Sequence, residues 1–257
     1  MISAREYDKD RFDRSKRIEW LDMDAIGDCR CLVVGAGALG NEAVKCLVLS
    51  GFRDITIVDM DDIVLSNLNR CVFFRSSDVK NGLKADILAE RASRLDPDVT
   101  IRSKRMRIQE LERWDAFGIV IGCLDNISAR LHVNAHSYYH KIPYVDGGTD
   151  GMTGKIQVVL PGGPCLQCSM NRTHYKALET RFSCTGKDAA FYVPKMAAEI
   201  TTTSVIAAMQ VREAMKIMSG REDMCVKNMS YYDGISGETF TLEVKKDERC
   251  ENHEHEV

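Results

Sequence analysis

Arg30-Cys31-Leu32-Val33-Val34-Gly35-Ala36-Gly37-Ala38-Leu39-Gly40 opens the segment that decides the fold, and Ile55-Thr56-Ile57-Val58-Asp59-Met60-Asp61 closes it. A short apolar run, Cys31 to Val34, breaks at Gly35. The glycines at 35, 37 and 40 lead into a helix-period pattern with Ala43, Val44, Leu47 and Val48 on its apolar side. A second apolar run then ends in Asp59, at about the 20-residue spacing of a nucleotide-binding βαβ unit. Glycines let the backbone approach a phosphate, the helix N-terminus offers unpaired N–H groups, and the carboxylate accepts hydrogen bonds from ribose hydroxyls. Strand before, helix after and acid at that distance favour nucleotide binding over a ligand-free βα turn.

Working outward, residues 1–28 are charged and end in Trp20, Leu21 and Met23, which reads as a solvated lead-in helix with one face on the core. Beyond the opening unit a polar loop, Asp61 to Gly82, carries Ser66-Asn67-Leu68-Asn69-Arg70, and a helix is expected from Leu83 to Leu95, ended by Asp96-Pro97. Val99 to Met106 suits an extended segment and Ile108 to Trp114 a short helix. Phe117 to Cys123 is a continuous apolar run of the kind a parallel sheet buries on both faces, with Leu124-Asp125-Asn126 at its end. A helix from Ile127 to His140 and a short strand at Pro143-Tyr144-Val145 complete a doubly wound half. Ligands in such sheets bind beyond the carboxyl ends of the strands, where Asp59 and Asp125 both fall.

The second half changes character. Thr153 to Leu160 reads as a strand, Pro161 to Pro164 as a turn, and Asn171 to Tyr192 as an irregular loop of the sort that is functional or mobile. Lys195 to Met218 reads as one long apolar helix, and Met229 to Asp233 with Thr239 to Val244 as antiparallel strands.

Composition bounds the classes. The chain has 257 residues, enough for a full α/β core, and a formal charge of −3 that suggests neither nucleic acid nor an anionic membrane as partner. No apolar run approaches the ~18 residues of a membrane span, and the charged N-terminus lacks the apolar centre of a signal peptide, so the expectation is a soluble, cytoplasmic protein. Of the ten cysteines, Cys31, Cys46 and Cys123 sit in apolar runs and read as small buried hydrophobes.

Three constellations carry chemistry. Cys165-Leu166-Gln167-Cys168 is a zinc half-site, and Cys250-Glu251-Asn252-His253 supplies the matching spacing, with His255 as a substitute ligand; four filled positions make the site structural. Asp59, Asp61, Asn67, Asn69, Arg70, Lys84 and Asp125 supply cations and amides near phosphates and a carboxylate for magnesium, which favours ATP chemistry over hydride transfer. Cys184, in Arg181-Phe182-Ser183-Cys184-Thr185-Gly186-Lys187, is flanked by cations that favour the thiolate.

With these residues assembled the chain resembles the ubiquitin-activating (E1-like) superfamily, which includes the bacterial adenylases of molybdopterin and thiamine biosynthesis. The likeness runs over nearly the whole chain and is nearest to the catalytic subunits that activate ubiquitin-like modifiers, in Ser50-Gly51-Phe52-Arg53, Val58-Asp59-Met60-Asp61, Ser66-Asn67-Leu68-Asn69-Arg70, Asp146-Gly147-Gly148-Thr149 and Phe182-Ser183-Cys184-Thr185. The resemblance implies a single adenylation domain over 1–257. Its parts are the lead-in at 1–28, a nucleotide-binding half at 29–150, and a mixed half at 151–257 with the cysteine loop at 171–193 and the zinc site. The implied fold is a mainly parallel, Rossmann-like α/β sheet continued by antiparallel strands.

It further implies that Gly35, Gly37 and Gly40 line the nucleotide turn, that Asp59 holds ribose, that Asn67, Arg70 and Lys84 contact phosphate, and that Asp125 coordinates magnesium. Arg11-Phe12-Asp13-Arg14 resembles the segment whose last arginine reaches the triphosphate of a neighbouring subunit. Cys165, Cys168 and Cys250 match zinc ligands of the family, with His253 in place of a fourth cysteine. The implied reaction joins ATP-magnesium and the C-terminal glycine of a ubiquitin-like protein ending in Gly-Gly as an acyl-adenylate, which Cys184 converts to a thioester for a conjugating enzyme. The alternatives are a sulfur-carrier adenylase that stops at the adenylate, and a silent scaffold subunit. The large inserted cysteine domain and the C-terminal ubiquitin-like domain of the eukaryotic subunits have no counterpart here, and an intrinsic Arg14 suggests a homodimer. Lys195 to Met218 is its candidate interface or, equally, buried core.

Overall fold

The computed structural model describes residues 8–170 and 197–253. Eight strands form one sheet in the order β3-β2-β1-β4-β5-β6-β7-β8. The strands are β1 (Arg30–Val34), β2 (Asp54–Val58), β3 (Thr100–Lys104), β4 (Ile119–Gly122), β5 (Tyr144–Asp150), β6 (Thr153–Val159), β7 (Met229–Asp233) and β8 (Glu238–Leu242). The first five are mutually parallel, and β5 to β8 run antiparallel. The protein is thus a Rossmann-like α/β sheet continued by a meander, as the sequence implies.

The helices are α1 (Met23–Asp28), α2 (Ala38–Leu49), α3 (Lys84–Ala92), α4 (Ile127–Tyr139) and α5 (Ile200–Met218). One core lies between the sheet and α2, α3 and α5, with Val33, Ile55, Ile57, Ile121 and Val145 facing Val44, Leu47, Ile206 and Val211. A second lies under α4, where Leu32, Val34 and Val120 meet Val133, Tyr144 and the fully buried Trp114. Central strands β1 and β4 are buried on both faces, which is why they read as unbroken apolar runs rather than alternating ones.

Several elements depart from expectation. The segment at 108–116 forms two 3-10 turns rather than a helix, because Trp114 donates its indole N–H back to the Leu111 carbonyl at 2.9 Å and buries there. β5 continues through Gly147 and Gly148 to Asp150, past the short strand expected at Pro143-Tyr144-Val145. α5 begins at Ile200, where Glu199 accepts hydrogen bonds from the Thr201 hydroxyl (2.6 Å) and from the N–H groups of Thr201 (2.7 Å) and Thr202 (2.9 Å); those bonds, the hydroxyl's foremost, draw its carboxyl down to about 2. The apolar side of α5 is covered by α2, β5 and β6 of its own chain. The lead-in is a 3-10 turn and the short α1, with Arg11 paired to Asp96 at 2.8 Å. No helix among the described residues is long and apolar enough to cross a membrane.

Candidate active site

A cleft of about 1280 Å³ opens beyond the carboxyl ends of the parallel strands and is lined by Gly35, Gly37, Asp59, Asp61, Asn67, Arg70, Lys84 and Asp125. Residues distant in sequence reach it because β1, β2 and β4 end side by side. The turn after β1 is tightly built. Gly35 has φ +100°, and a Cβ there would stand 2.4 Å from the Cys123 carbonyl. At Gly37 a Cβ would meet nothing within 4 Å, so this peptide borders open cleft.

Gly40 is placed differently from expectation. It does not line the cleft, and its added Cβ would fall 2.0 Å from the Gly35 carbonyl. Its service is to let α2 start directly against the turn. Asn41, which sequence reasoning passed over, locks that arrangement: fully buried, it donates to the carbonyls of Ala36 (2.9 Å) and Gly37 (3.0 Å) and accepts from Phe73 N–H at 3.2 Å.

Asp59 accepts from the N–H groups of Ala36 (2.7 Å) and Asp61 (2.8 Å), which sets its carboxylate beside the glycine turn. Burial raises its pKa, opposed by the Ala36 bond and by Lys84. The loop from 62 to 82 closes at its base by a bridge between Asp62 and Leu83, and this places Lys84 Nζ 2.7 Å from Asp61 Oδ2. Arg70 is held within the same loop, donating to the Ser66 carbonyl and to Asn69 Oδ1 at 3.0 Å. The Asn67 side chain accepts from Val64 N–H at 3.0 Å and so shapes the loop. Asp125 is exposed at the cleft, just before the Asn126 side chain that caps α4 through Ala129 N–H at 2.8 Å.

Two cations were missed by sequence reasoning, Arg130 and Lys155, both in the cleft wall. Arg130 pairs with Asp146 at 3.2 Å and donates to the Gly147 carbonyl; Tyr144 O–H holds the other oxygen of Asp146 at 2.6 Å. The available signal was polar residues interrupting α4 and β6.

Arg14 lies outside the cleft of its own chain, with 85% of its side chain exposed and its nearest carboxylate, Asp8, at 3.8 Å. Cys184 and His255 fall outside the described residues, as do the loop at 171–193 and Lys195. Cys31 is fully buried as expected, whereas Cys46 and Cys123 are only partly so and Cys123 borders the cleft.

The second cluster stands away from the cleft. Cys165, Cys168, Cys250 and His253 each offer one ligand atom, all within 4.8 Å of one another. Cys165 and Cys250 Sγ are 3.6 Å apart, Cys165 and Cys168 Sγ 3.8 Å, and Cys168 Sγ and His253 Nε2 3.6 Å. A Zn–S bond of about 2.3 Å gives a tetrahedral edge of about 3.8 Å, so donor set and spacing fit zinc. His253 Nδ1 lies 2.8 Å from the Asp247 carbonyl, which presents Nε2 to the cluster.

Fold and cleft define a Rossmann-type protein with a cation-bearing cleft beyond the carboxyl ends of its parallel strands. Residues 12–252 match the ThiF family, and the chain belongs to it. Over 151 residues it is 38% identical to "SUMO-activating enzyme subunit 2" of Dictyostelium discoideum, covering 57% of this chain and 23% of that protein. Over 157 residues it is 40% identical to the "NEDD8-activating enzyme E1 catalytic subunit" of Arabidopsis thaliana, covering 55% and 34%. The chain therefore spans about a third or less of these relatives' length. Among solved structures it resembles E. coli MccB with ATP, at a TM-score of 0.78 and 17% identity over 98% of this chain and 75% of that one, a likeness of fold.

Proposed function

We propose that this chain uses ATP to adenylate the C-terminal glycine of a ubiquitin-like protein ending in Gly-Gly and then accepts the acyl group on Cys184 as a thioester. The observation that carries the reading is the convergence of Gly35, Gly37, Asp59, Arg70, Lys84 and Asp125 on one cleft in a chain of the ThiF family. Asp59 would hold the ribose and the Gly35–Gly37 turn with Asn67, Arg70 and Lys84 the phosphates. Asp125 would hold magnesium, which supplies positive charge where oxygens crowd the α-phosphorus.

A carboxylate oxygen of the substrate attacks that phosphorus, the bond to pyrophosphate breaks, and an acyl-adenylate remains. Lys84 and Arg70, with Arg14 from a second copy, balance charge that grows in this step. The Cys184 thiolate then attacks the carbonyl, forming the thioester and releasing AMP. Zinc on Cys165, Cys168, Cys250 and His253 would tie the C-terminal segment to the turn after β6. A homodimer and hand-over to a conjugating enzyme complete the proposal.

Pyrophosphate–ATP exchange tests it. We expect exchange that depends on a ubiquitin-like protein ending in Gly-Gly and is lost in Asp125→Ala; a chain without exchange of its own is a scaffold. Cys184→Ser should still exchange yet form no thiol-sensitive conjugate, and unchanged conjugate in that variant would leave an adenylase that stops at the adenylate.

A further inference from the structure

β5 carries two adjacent glycines that open opposite faces of the sheet. A Cβ at Gly147 would strike the Gln210 side chain of α5 at 2.4 Å, and one at Gly148 would strike Arg130 Nη2 of α4 at 2.3 Å. Directly paired strand residues point to the same face. Gly148 pairs with Lys155 on β6, Lys155 with Tyr231 on β7, and Tyr231 with Phe240 on β8. Arg130, Lys155, Tyr231 and Phe240 therefore share one row on the α4 face, from the cleft wall to the sheet edge. Its outer end is open: Phe240 is 50% exposed and stacks on Tyr231 with ring centroids 6.5 Å apart.

The inner end holds unbalanced charge. Asp146 is committed to Arg130 and Tyr144, while the Lys155 ammonium makes no hydrogen bond and no ion pair within 4.0 Å among the described residues. Arg130 Nε is also buried without a hydrogen-bond partner among the described residues. Burial pushes the Lys155 pKa down, repulsion from Arg130 adds to it, and Asp146 only partly opposes. Two cations against one buried carboxylate call for an anionic occupant, because a desolvated, unpaired charge is costly. The triphosphate is poorly placed to supply it. β6 stands four strands from β2, on the order of 19 Å across the sheet, from the end where Asp59 and Lys84 sit.

We propose that Lys155, with Arg130 beside it, binds the carboxylate that is to be adenylated and presents it toward Asp125. This rests on the adenylation reading and adds a residue to it. The Lys155 ammonium would hold one carboxylate oxygen and leave the other to attack phosphorus. The extended segment behind that carboxylate would lie outward over Tyr231.

The test uses the full chain with ¹³Cε-labelled lysine, the Lys155 signal being identified by its loss in Lys155→Arg. The probes are a synthetic peptide ending in Gly-Gly and the same peptide as its C-terminal amide, each with a non-hydrolysable ATP analogue and magnesium. We expect the free acid to move the Lys155 signal and raise its titration midpoint, and the amide to leave both unchanged. Lys155→Gln should weaken binding of the acid about 10- to 100-fold and of the amide not at all, with Lys155→Arg close to wild type. Equal binding of acid and amide, absence of acid binding, or a Lys155 signal moved fully by the nucleotide alone would overturn the assignment. A chain that binds no nucleotide analogue yet answers to the acid would instead sink the adenylation reading and leave the carboxylate site standing.

Discussion

The three glycines after β1 have unequal duties, and substitution should separate them. At Gly40 the added Cβ meets the Gly35 carbonyl at 2.0 Å, a backbone atom that moves only with the turn itself. Gly40→Ala should destabilise the fold by about 1–3 kcal/mol and weaken nucleotide binding with it. Gly37 caps α2 at ordinary dihedral angles, φ −71° and ψ −157°, beside open space. Gly37→Ala should change stability by less than about 1 kcal/mol, while ATP affinity falls because the methyl occupies the cleft. Thermal melts with and without ATP distinguish the two. A second residue-scale expectation concerns pH. Arg91 grips Asp78 through two bonds of 2.6 and 2.7 Å, and Arg75 N–H adds a third at 2.6 Å. These hold the Asp78 carboxyl below its ordinary 3.8, with the Arg91 hydrogen bonds foremost. A depressed native value means the contribution is whole above pH 3.8 and is lost as pH falls through the native value. Asp78→Asn should cost about 2 kcal/mol at neutral pH, and the gap to wild type should close on acidification, as read by denaturant melts.

Among the elements, those with a regular pattern were legible. β1, β2 and β4 are apolar because both faces are buried, and α3 and α4 lie within a few residues of their expected bounds. β5 outruns the short strand expected at 143–145, since Gly147 and Gly148 carry no apolar side chain to extend its pattern. Only the packing reveals that each glycine makes room for a side chain from a different helix. The same long-range logic hid Lys155 and Arg130, which reach one cleft wall because α4 lays Arg130 over Gly148 and Gly148 pairs with Lys155. The convergence of Gly35, Gly37, Asp59, Lys84 and Asp125 on one cleft was legible because most of these residues follow directly on strand ends. Gln210 illustrates what tertiary contact adds: its amide donates to the carbonyls of Gly122 (2.8 Å) and Val145 (2.9 Å), riveting α5 to β4 and β5. Gln210→Leu should lose about 1–3 kcal/mol by stranding buried carbonyls, measurable as a lower denaturant midpoint. The cysteine–histidine cluster acts at this scale as well. Its ligands join the turn after β6 to the 3-10 turn at Glu251–His253, so freshly purified protein should hold one zinc. Removing it by chelation should lower the melting temperature, and Cys250→Ser should lower it without further response to chelator; protein free of zinc would exclude the site.

For the whole molecule, the sheet divides labour. Its parallel half ends in the glycine turn, its antiparallel half carries the Lys155 row, and Asp125 stands between them just beyond the end of β4. The lead-in runs over the outside of this frame. Arg11 is tied to Asp96, Asp13 to Arg17 at 2.7 Å, and Arg14 extends into solvent away from the cleft of its own chain. On the proposed function a cation so placed would serve the ATP site of a neighbouring subunit, and with a second copy as that subunit the assembly is testable by complementation. In a symmetric dimer with two shared sites, Arg14→Ala and Asp125→Ala should each lower pyrophosphate–ATP exchange about 100-fold or more. A mixed dimer concentrates both defects in one site and leaves the other intact. Equal amounts of the two inactive variants, allowed to exchange subunits, should therefore recover about a quarter of wild-type activity. Recovery requires both residues in one reaction and on different chains. Full activity in Arg14→Ala, or no recovery although mass-tagged subunits have mixed, would place the arginine outside the reaction and leave each cleft to work alone.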